Sequence, residues 1–268
     1  ILDAVKTVQP DMHIHAFSPL EIWQGAATLN LPLTDYLQTL KAHGLGTLPG
    51  TAAEILDDEV RATLCHDKIN TSQWLEVMQA AHAVGLRSTA TIMFGHIERY
   101  EHWARHFLRV LTLQKQTGGF TEFVPLPFVA EEAPMYLRGR ARKGPTFREV
   151  ILMHAIARLV LSPHIHNIQA SWVKLGNEGV VACLAAGVND LGGTLMNESI
   201  TRAAGATHGQ ENSPENLDAM ITAAQRTPQH RSTLYGAVDA THIRQSYGAD
   251  ELLPLVNDLV TRVKVAYH

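Results

Sequence analysis

One unit recurs along this chain: a helical stretch ends, an apolar strand follows at once, and a polar loop opens the next helix. "LTDYLQTLKAHGLGTLPG" reads as a helix closed at Gly44 and a strand from Leu45 to Leu48. In "NTSQWLEVMQAAHAVGLRSTATIMFG", Thr71 is the expected N-cap, and Trp74, Val77, Met78 and Ala81 share one helical face. Gly85 ends that helix and a strand runs through Met93. "HWARHFLRVLTLQKQTGGFTEFVPLPFV" repeats the unit through Gly118 and Gly119. "PTFREVILMHAIARLVLSPHIHNIQASWVKLG" enters its helix at Pro145 and ends in a strand from Ile168 to Val173, and "NEGVVACLAAGVNDLGG" supplies the last repeat. Six strands are expected, near Met12, Gly46, Ala90, Phe123, Ala170 and Asn189. Strands that alternate with helices at this spacing, without hairpin signals, make an α/β chain with a parallel sheet and crossover helices. A (β/α) TIM-type barrel is the expected architecture, with the polar strand ends forming its functional face. A Rossmann fold is disfavoured, since no G-x-G-x-x-G follows the first strand.

The 268 residues suffice for one large domain. Residues 1–236 read as the barrel and 237–268 as a C-terminal helical tail. A net charge of −4 and a pI near 6.4 give no global basic field to attract nucleic acid or an anionic membrane. The basic run "RGRARK" reads as a solvated loop in preference to an anion trap. No apolar run is long enough to cross a bilayer. Cys65 and Cys183, the only cysteines, have no C-x-x-C spacing, and a reducing cytoplasm is the expected compartment. The chain opens at Ile1, in what reads as a helix without an initiator methionine, so its beginning is expected to have been removed.

"DMHIHAFSP" carries His13 and His15 two apart on an extended segment, so both imidazoles leave one face. A metallohydrolase barrel presents two zinc ligands in this way, and needs further ligands at later strand ends. His96, His164, His166 and Asp190 come into question. His164 and His166 precede their strand, however, and in a parallel barrel lie on the face opposite His96 and Asp190. No metal ligand is therefore assigned, although a His-x-His hydrolase stays open as an alternative.

Several blocks taken in order carry more: "HIHAFSPLEI", "GLGTLPGTAAEIL", "ATIMFGHIE", "FVPLPF", "RKGPT", "NIQASWVKLG", "GVNDLGGTLMNESITRAAGATHG" and "RSTLYG". Together they resemble the CofH family, the second subunit or half of 7,8-didemethyl-8-hydroxy-5-deazariboflavin (FO) synthase, in some bacteria the C-terminal half of a fused protein called FbiC. The resemblance runs over roughly residues 1–236. It implies a radical S-adenosylmethionine (SAM) barrel, lacking its first strands in this chain. It also implies a [4Fe-4S] cluster held by a C-x-x-x-C-x-x-C loop and a glycine-rich SAM-binding segment in the full-length parent. Neither motif occurs here. The implied reaction joins a tyrosine-derived 4-hydroxybenzyl group to 5-amino-6-(D-ribitylamino)uracil, on the way to coenzyme F-420, beside a CofG-type partner subunit or fused half. On its own, this stretch is expected to be inactive. A sister enzyme of the futalosine menaquinone pathway is the nearest alternative.

Against that chemistry, a barrel mouth lined with hydrogen-bonding side chains is needed. His13 and His15, at the end of the barrel's third strand, and His96 are the expected proton-handling residues. Glu54, Thr91 and Asp190 are expected to hold cofactor hydroxyls or amines. Ser18, Gln169, Lys174 and Asn189 are assigned to substrate, with Gln169 reading a uracil edge and Lys174 reaching over the rim from a strand end.

Overall fold

The computed structural model describes residues 1–195 and 198–250. A first helix, α1 (Leu2–Val8), leads to the two-residue strand β1 (Ile14–His15). Helices α2 (Pro19–Leu29) and α3 (Leu33–Ala42) precede β2 (Leu45–Leu48). Next come α4 (Asp58–Leu64), α5 (Thr71–Ala83) and the eight-residue β3 (Arg87–Phe94). Helix α6 (Tyr100–Thr117) returns the chain to β4 (Phe120–Pro127), also eight residues long. The short α7 (Pro134–Leu137) and the long α8 (Phe147–Leu161) then lead to β5 (Asn167–Ile168). Four helices follow: α9 (Trp172–Ala185), α10 (Ile200–Ala203), α11 (Pro214–Ala223) and α12 (Ala240–Tyr247).

The five strands lie in chain order and every pairing is parallel, with helices as crossovers. This is the α/β barrel-type architecture expected of the repeating unit. Two details differ from the sequence expectation. Among the described residues, the segment at Asn189 makes only an isolated parallel bridge, Gln169 to Asp190, so five strands form there where six were expected. Among the described residues no pairing joins that segment to β1, and the sheet is an open arc. The strand expected from Ile168 to Val173 stops at Ile168, and "WVKLG" opens α9 instead. Lys174 therefore stands on the first turn of a helix, not at a strand end. A short apolar run does not distinguish a strand from a buried helix start by period.

Local chemistry explains the helix boundaries. Asn70, rather than Thr71, caps α5: its side chain accepts from the Gln73 N–H at 2.9 Å, and Gln73 Oε1 accepts from the Asn70 N–H at 2.9 Å. Thr146 and Glu149 form the same reciprocal box at α8, and Ser18 and Glu21 do so at α2. One face of the sheet packs on the helices. Ala90, Ile92 and Phe94 of β3 meet Trp74 and Met78 of α5 and Trp103 and Phe107 of α6, all buried in one core. Each large side chain there contributes about 1.5–3 kcal/mol of burial. Beyond Gly236, α12 leans on α11 through a hydrogen bond from the Tyr247 hydroxyl to Asp218. The rest of the expected tail, residues 251–268, lies outside the described residues.

Candidate active site

The opposite face of the sheet is polar. Strand pairing aligns His15 with Thr47, Thr47 with Arg87, Thr89 with Glu122, and Glu122 with Asn167. Gln169, two residues on from Asn167, bridges to Asp190. Side chains two apart on a strand share a face, so this inner face presents histidines, threonines, a glutamate, a glutamine and an aspartate in succession. A parallel strand buried on both faces is ordinarily apolar throughout. These polar residues therefore mark the face where chemistry is to be sought.

At the β1 end, His13 and His15 turn to the same side, as their spacing requires. Both meet Thr47 Oγ1, His13 through Nε2 at 2.8 Å and His15 through Nδ1 at 2.7 Å. A hydroxyl has one proton, so one ring accepts it and the other donates to the oxygen. Burial lowers both pKa values, helped at His13 by Lys6 and at His15 by His13, so both rings are neutral near pH 7. Each ring spends a nitrogen on Thr47, while His96 bonds within its own loop and Asp190 pairs with Arg231. Among the described residues, the one set of three or more metal-type ligand atoms within 4.8 Å of one another is that of Asp57, Glu59 and His102. Arg105 and Arg109 lie 3.2 and 3.3 Å from Asp57 Oδ2 and already neutralise that cluster.

The other end holds the densest polar network. Arg231 grips Asp190 through both oxygens, Nε to Oδ2 at 2.5 Å and Nη2 to Oδ1 at 2.9 Å. Asp190 Oδ1 also accepts the Gly192 N–H at 2.7 Å, so the turn after the bridge is fixed by the same carboxylate. Glu122 Oε2 accepts from Gln169 Nε2 at 3.0 Å and from the Tyr235 hydroxyl at 2.6 Å, with Arg231 Nη2 at 3.5 Å. The Arg231 guanidinium lies 4.2 Å from the Tyr235 ring centre. Burial and the neighbouring Asp190 push the Glu122 carboxyl up, against Tyr235, Arg231 and Gln169. Burial also raises the Tyr235 phenol, with Asp190 and Glu122 adding to it.

The remaining expected site residues are committed to the scaffold to different degrees. Thr91 Oγ1 donates to the Gly50 carbonyl at 2.6 Å, and Thr89 Oγ1 accepts the Gly50 N–H at 2.7 Å, so the two threonines clamp the β2 exit. Ser18 is spent on its capping box, its hydroxyl 2.7 Å from Glu21 Oε2. Asn189 Oδ1 accepts from the Ile168 N–H at 2.9 Å and Arg158 Nη2 at 2.6 Å, on the scaffold side of the bridge. His96 is fully buried in the loop after β3, with Nε2 3.0 Å from the Met93 carbonyl and Nδ1 taking the Ile97 N–H at 2.7 Å. Burial lowers its pKa although Glu98 opposes the shift. Glu54 is half-buried, pairs with Lys68 at 2.5 Å, and sits at φ 45° in a loop whose carbonyls the buried Arg61 gathers. Lys174 is half-buried beside Glu198, and desolvation lowers its pKa while Glu198 raises it.

Of the residues expected from sequence, Gln169 and Asp190 meet in one network, and His13 and His15 meet at Thr47. Glu122, Arg231 and Tyr235 escaped notice. A charged residue in the apolar run "FTEFVPLP" was a readable signal for Glu122. Arg231 and Tyr235 lie inside the "RSTLYG" block, which carried the resemblance but was given no role.

The comparisons with known proteins agree with this architecture. The family profile described as the CofH/MqnC C-terminal region matches residues 117–243. The chain is 49% identical over 261 residues to the FO synthase of Streptomyces avermitilis, which covers 96% of this chain and 30% of that protein. It is 48% identical over 239 residues to the 5-amino-6-(D-ribitylamino)uracil–L-tyrosine 4-hydroxyphenyl transferase of Archaeoglobus fulgidus, covering 89% of this chain and 69% of that one. It thus spans about a third of the FO synthases it matches. In fold it resembles methylornithine synthase (PylB), with a TM-score of 0.59 at 15% identity over 85% of this chain and 62% of that one. With nearly half its residues identical across more than two thirds of the archaeal relative, the chain belongs to the CofH family.

Proposed function

We propose that this chain forms the substrate chamber of an enzyme that transfers a tyrosine-derived 4-hydroxybenzyl group to 5-amino-6-(D-ribitylamino)uracil. The observation that carries the proposal is its 48% identity to a relative named for that reaction, and the polar inner face of the sheet supports it. The same names favour this reading over a sister enzyme of menaquinone synthesis. When bound, SAM and a [4Fe-4S] cluster supply the radical that starts the reaction. The chain's own cysteines do not fit the cluster. Cubanes are held by thiolates, whereas Cys65 and Cys183 are buried and burial pushes both thiols up, that of Cys183 to about 12.

The residues of this chain bind and orient. Gln169 offers an amide to a pyrimidine edge, and Asp190 anchors the face on which it lies. His13 and His15, neutral and exposed toward one side, are suited to take a proton from a phenol or an amine. Glu54 and Lys174 are the candidates at the rim for a hydroxyl and a carboxylate. Ser18, Thr91, Asn189 and His96 act through the backbone they hold. We place the enzyme in the cytoplasm, beside a partner of the CofG type. No helix among the described residues is long and apolar enough to cross a membrane. Saturable binding of tyrosine and of the ribitylaminouracil to the chain, followed as a rise in melting temperature with ligand concentration, tests the proposal. A chain that binds neither sinks it.

A further inference from the structure

The network around Arg231 is unbalanced. Glu122 and Asp190 are both more than nine-tenths buried, and one guanidinium faces the two carboxylates. Asp190 takes the short bidentate contact, and Arg231 stands 3.5 Å from Glu122. Glu122 receives its hydrogen bonds from Gln169 and Tyr235 on a single oxygen, Oε2. Among the described residues, Oε1 takes none. Oε1 is not one of the side-chain atoms sealed from solvent without a partner, so it stays within reach of a bound molecule. Three side chains from two segments thus aim the group while leaving one oxygen for something else.

That arrangement lies on the polar inner face, where strand register puts Glu122 between Thr89 and Asn167. Tyr235, which delivers the shortest of these bonds, is held at φ 62°, a region that bulky side chains rarely adopt. An oxygen with spare lone pairs in a negatively biased pocket suits a hydrogen-bond donor that carries positive charge or gains it on binding. Amines are such donors, and a hydroxyl or a carbonyl does not offset the excess charge.

We propose that Glu122 is a specificity-determining residue that receives a substrate amine on Oε1, with Tyr235 and Gln169 as the residues that position its carboxylate. The inference rests on the proposed function, which supplies two amine-bearing ligands: the α-ammonium of tyrosine and the 5-amino group of the ribitylaminouracil. The shared chemistry is the amine, and the experiment separates the two sources.

Binding constants are measured by calorimetry for the chain and its E122Q and Y235F variants. Each amine is paired with its counterpart lacking it: tyrosine with 3-(4-hydroxyphenyl)propionate, and the 5-amino uracil with 6-(D-ribitylamino)uracil. In E122Q, one amine-bearing ligand is expected to bind at least about tenfold more weakly, its counterpart lacking the amine binding as to the unmodified chain. The pair that shows this contrast identifies the source. Y235F, which keeps the charge and loses the hydrogen bond, is expected to show the same selective loss to a smaller degree, and it carries the test if E122Q does not fold. Equal affinity of E122Q and the unmodified chain for both amines overturns the inference while the proposed function stands. An equal loss with and without the amine also overturns it, since a loosened chamber does not select. Failure of the unmodified chain to bind any of the four ligands removes the proposed function, and the inference with it.

Discussion

At the residue scale, Gly50 shows how little room the inner face leaves. A Cβ there would press on the Thr89 backbone carbonyl, which cannot move without breaking β3. Gly50→Ala is expected to cost about 1–3 kcal/mol of stability, read from urea unfolding; an unchanged midpoint would show that the clamp of Thr89 and Thr91 gives way. The buried His106 and His154 and the half-buried His82 make a second prediction. Burial lowers His82 to about 4, with Arg87 adding to it; burial with Arg109 and Arg61 lowers His106 to about 3; burial lowers His154 to about 4. All three are neutral in the fold, while an unfolded chain protonates them below about pH 6.5. The unfolded state then binds more protons, so stability is full above that pH and falls as the pH drops toward 4. The slope is up to roughly 1.4 kcal/mol per pH unit for each residue. Unfolding at pH 7.5, 6 and 5 checks the sign, and His154→Leu is expected to flatten the slope by one residue's share.

At the element scale, β3 and β4 share seven registered pairs, whereas β1 and β5 contribute two residues each. Amide exchange is expected to be slowest in β3 and β4, and faster by orders of magnitude at Ile14 and His15. Equal protection across the sheet would contradict this. The same contrast accounts for what the sequence made legible. The long helices and β3 carry apolar periods over many residues, and their boundaries came out within a residue or two, as at Asn70 and Thr71. "NIQASWVKLG" gave only a short apolar run between polar residues, and Trp172 packs equally well from a strand or a helix, so Lys174 was set on the wrong element. His13, His15, Gln169 and Asp190 were visible because two-residue spacing and strand ends are local properties. Arg231 and Tyr235 were not, because their partners lie 41 and 113 positions away in the chain. No local pattern encodes such contacts.

At the scale of the molecule, one arginine ties the segment after α11 to the end of an open sheet. Arg231→Met would leave Asp190 and Glu122 buried without a cation, an expected loss of about 3 kcal/mol in urea unfolding. Arg231→Lys should recover only part of it, since an ammonium does not span both oxygens of Asp190. Full recovery with lysine would show that charge alone, without the fork geometry, holds the segment. The bidentate grip also bears on how this protein can change over generations. Between Asp190 and Arg231 the chain makes a long excursion through α10 and α11, and its two ends are pinned to each other. A change at Asp190 or Arg231 alone breaks that pin, so the two anchors must be inherited as a pair.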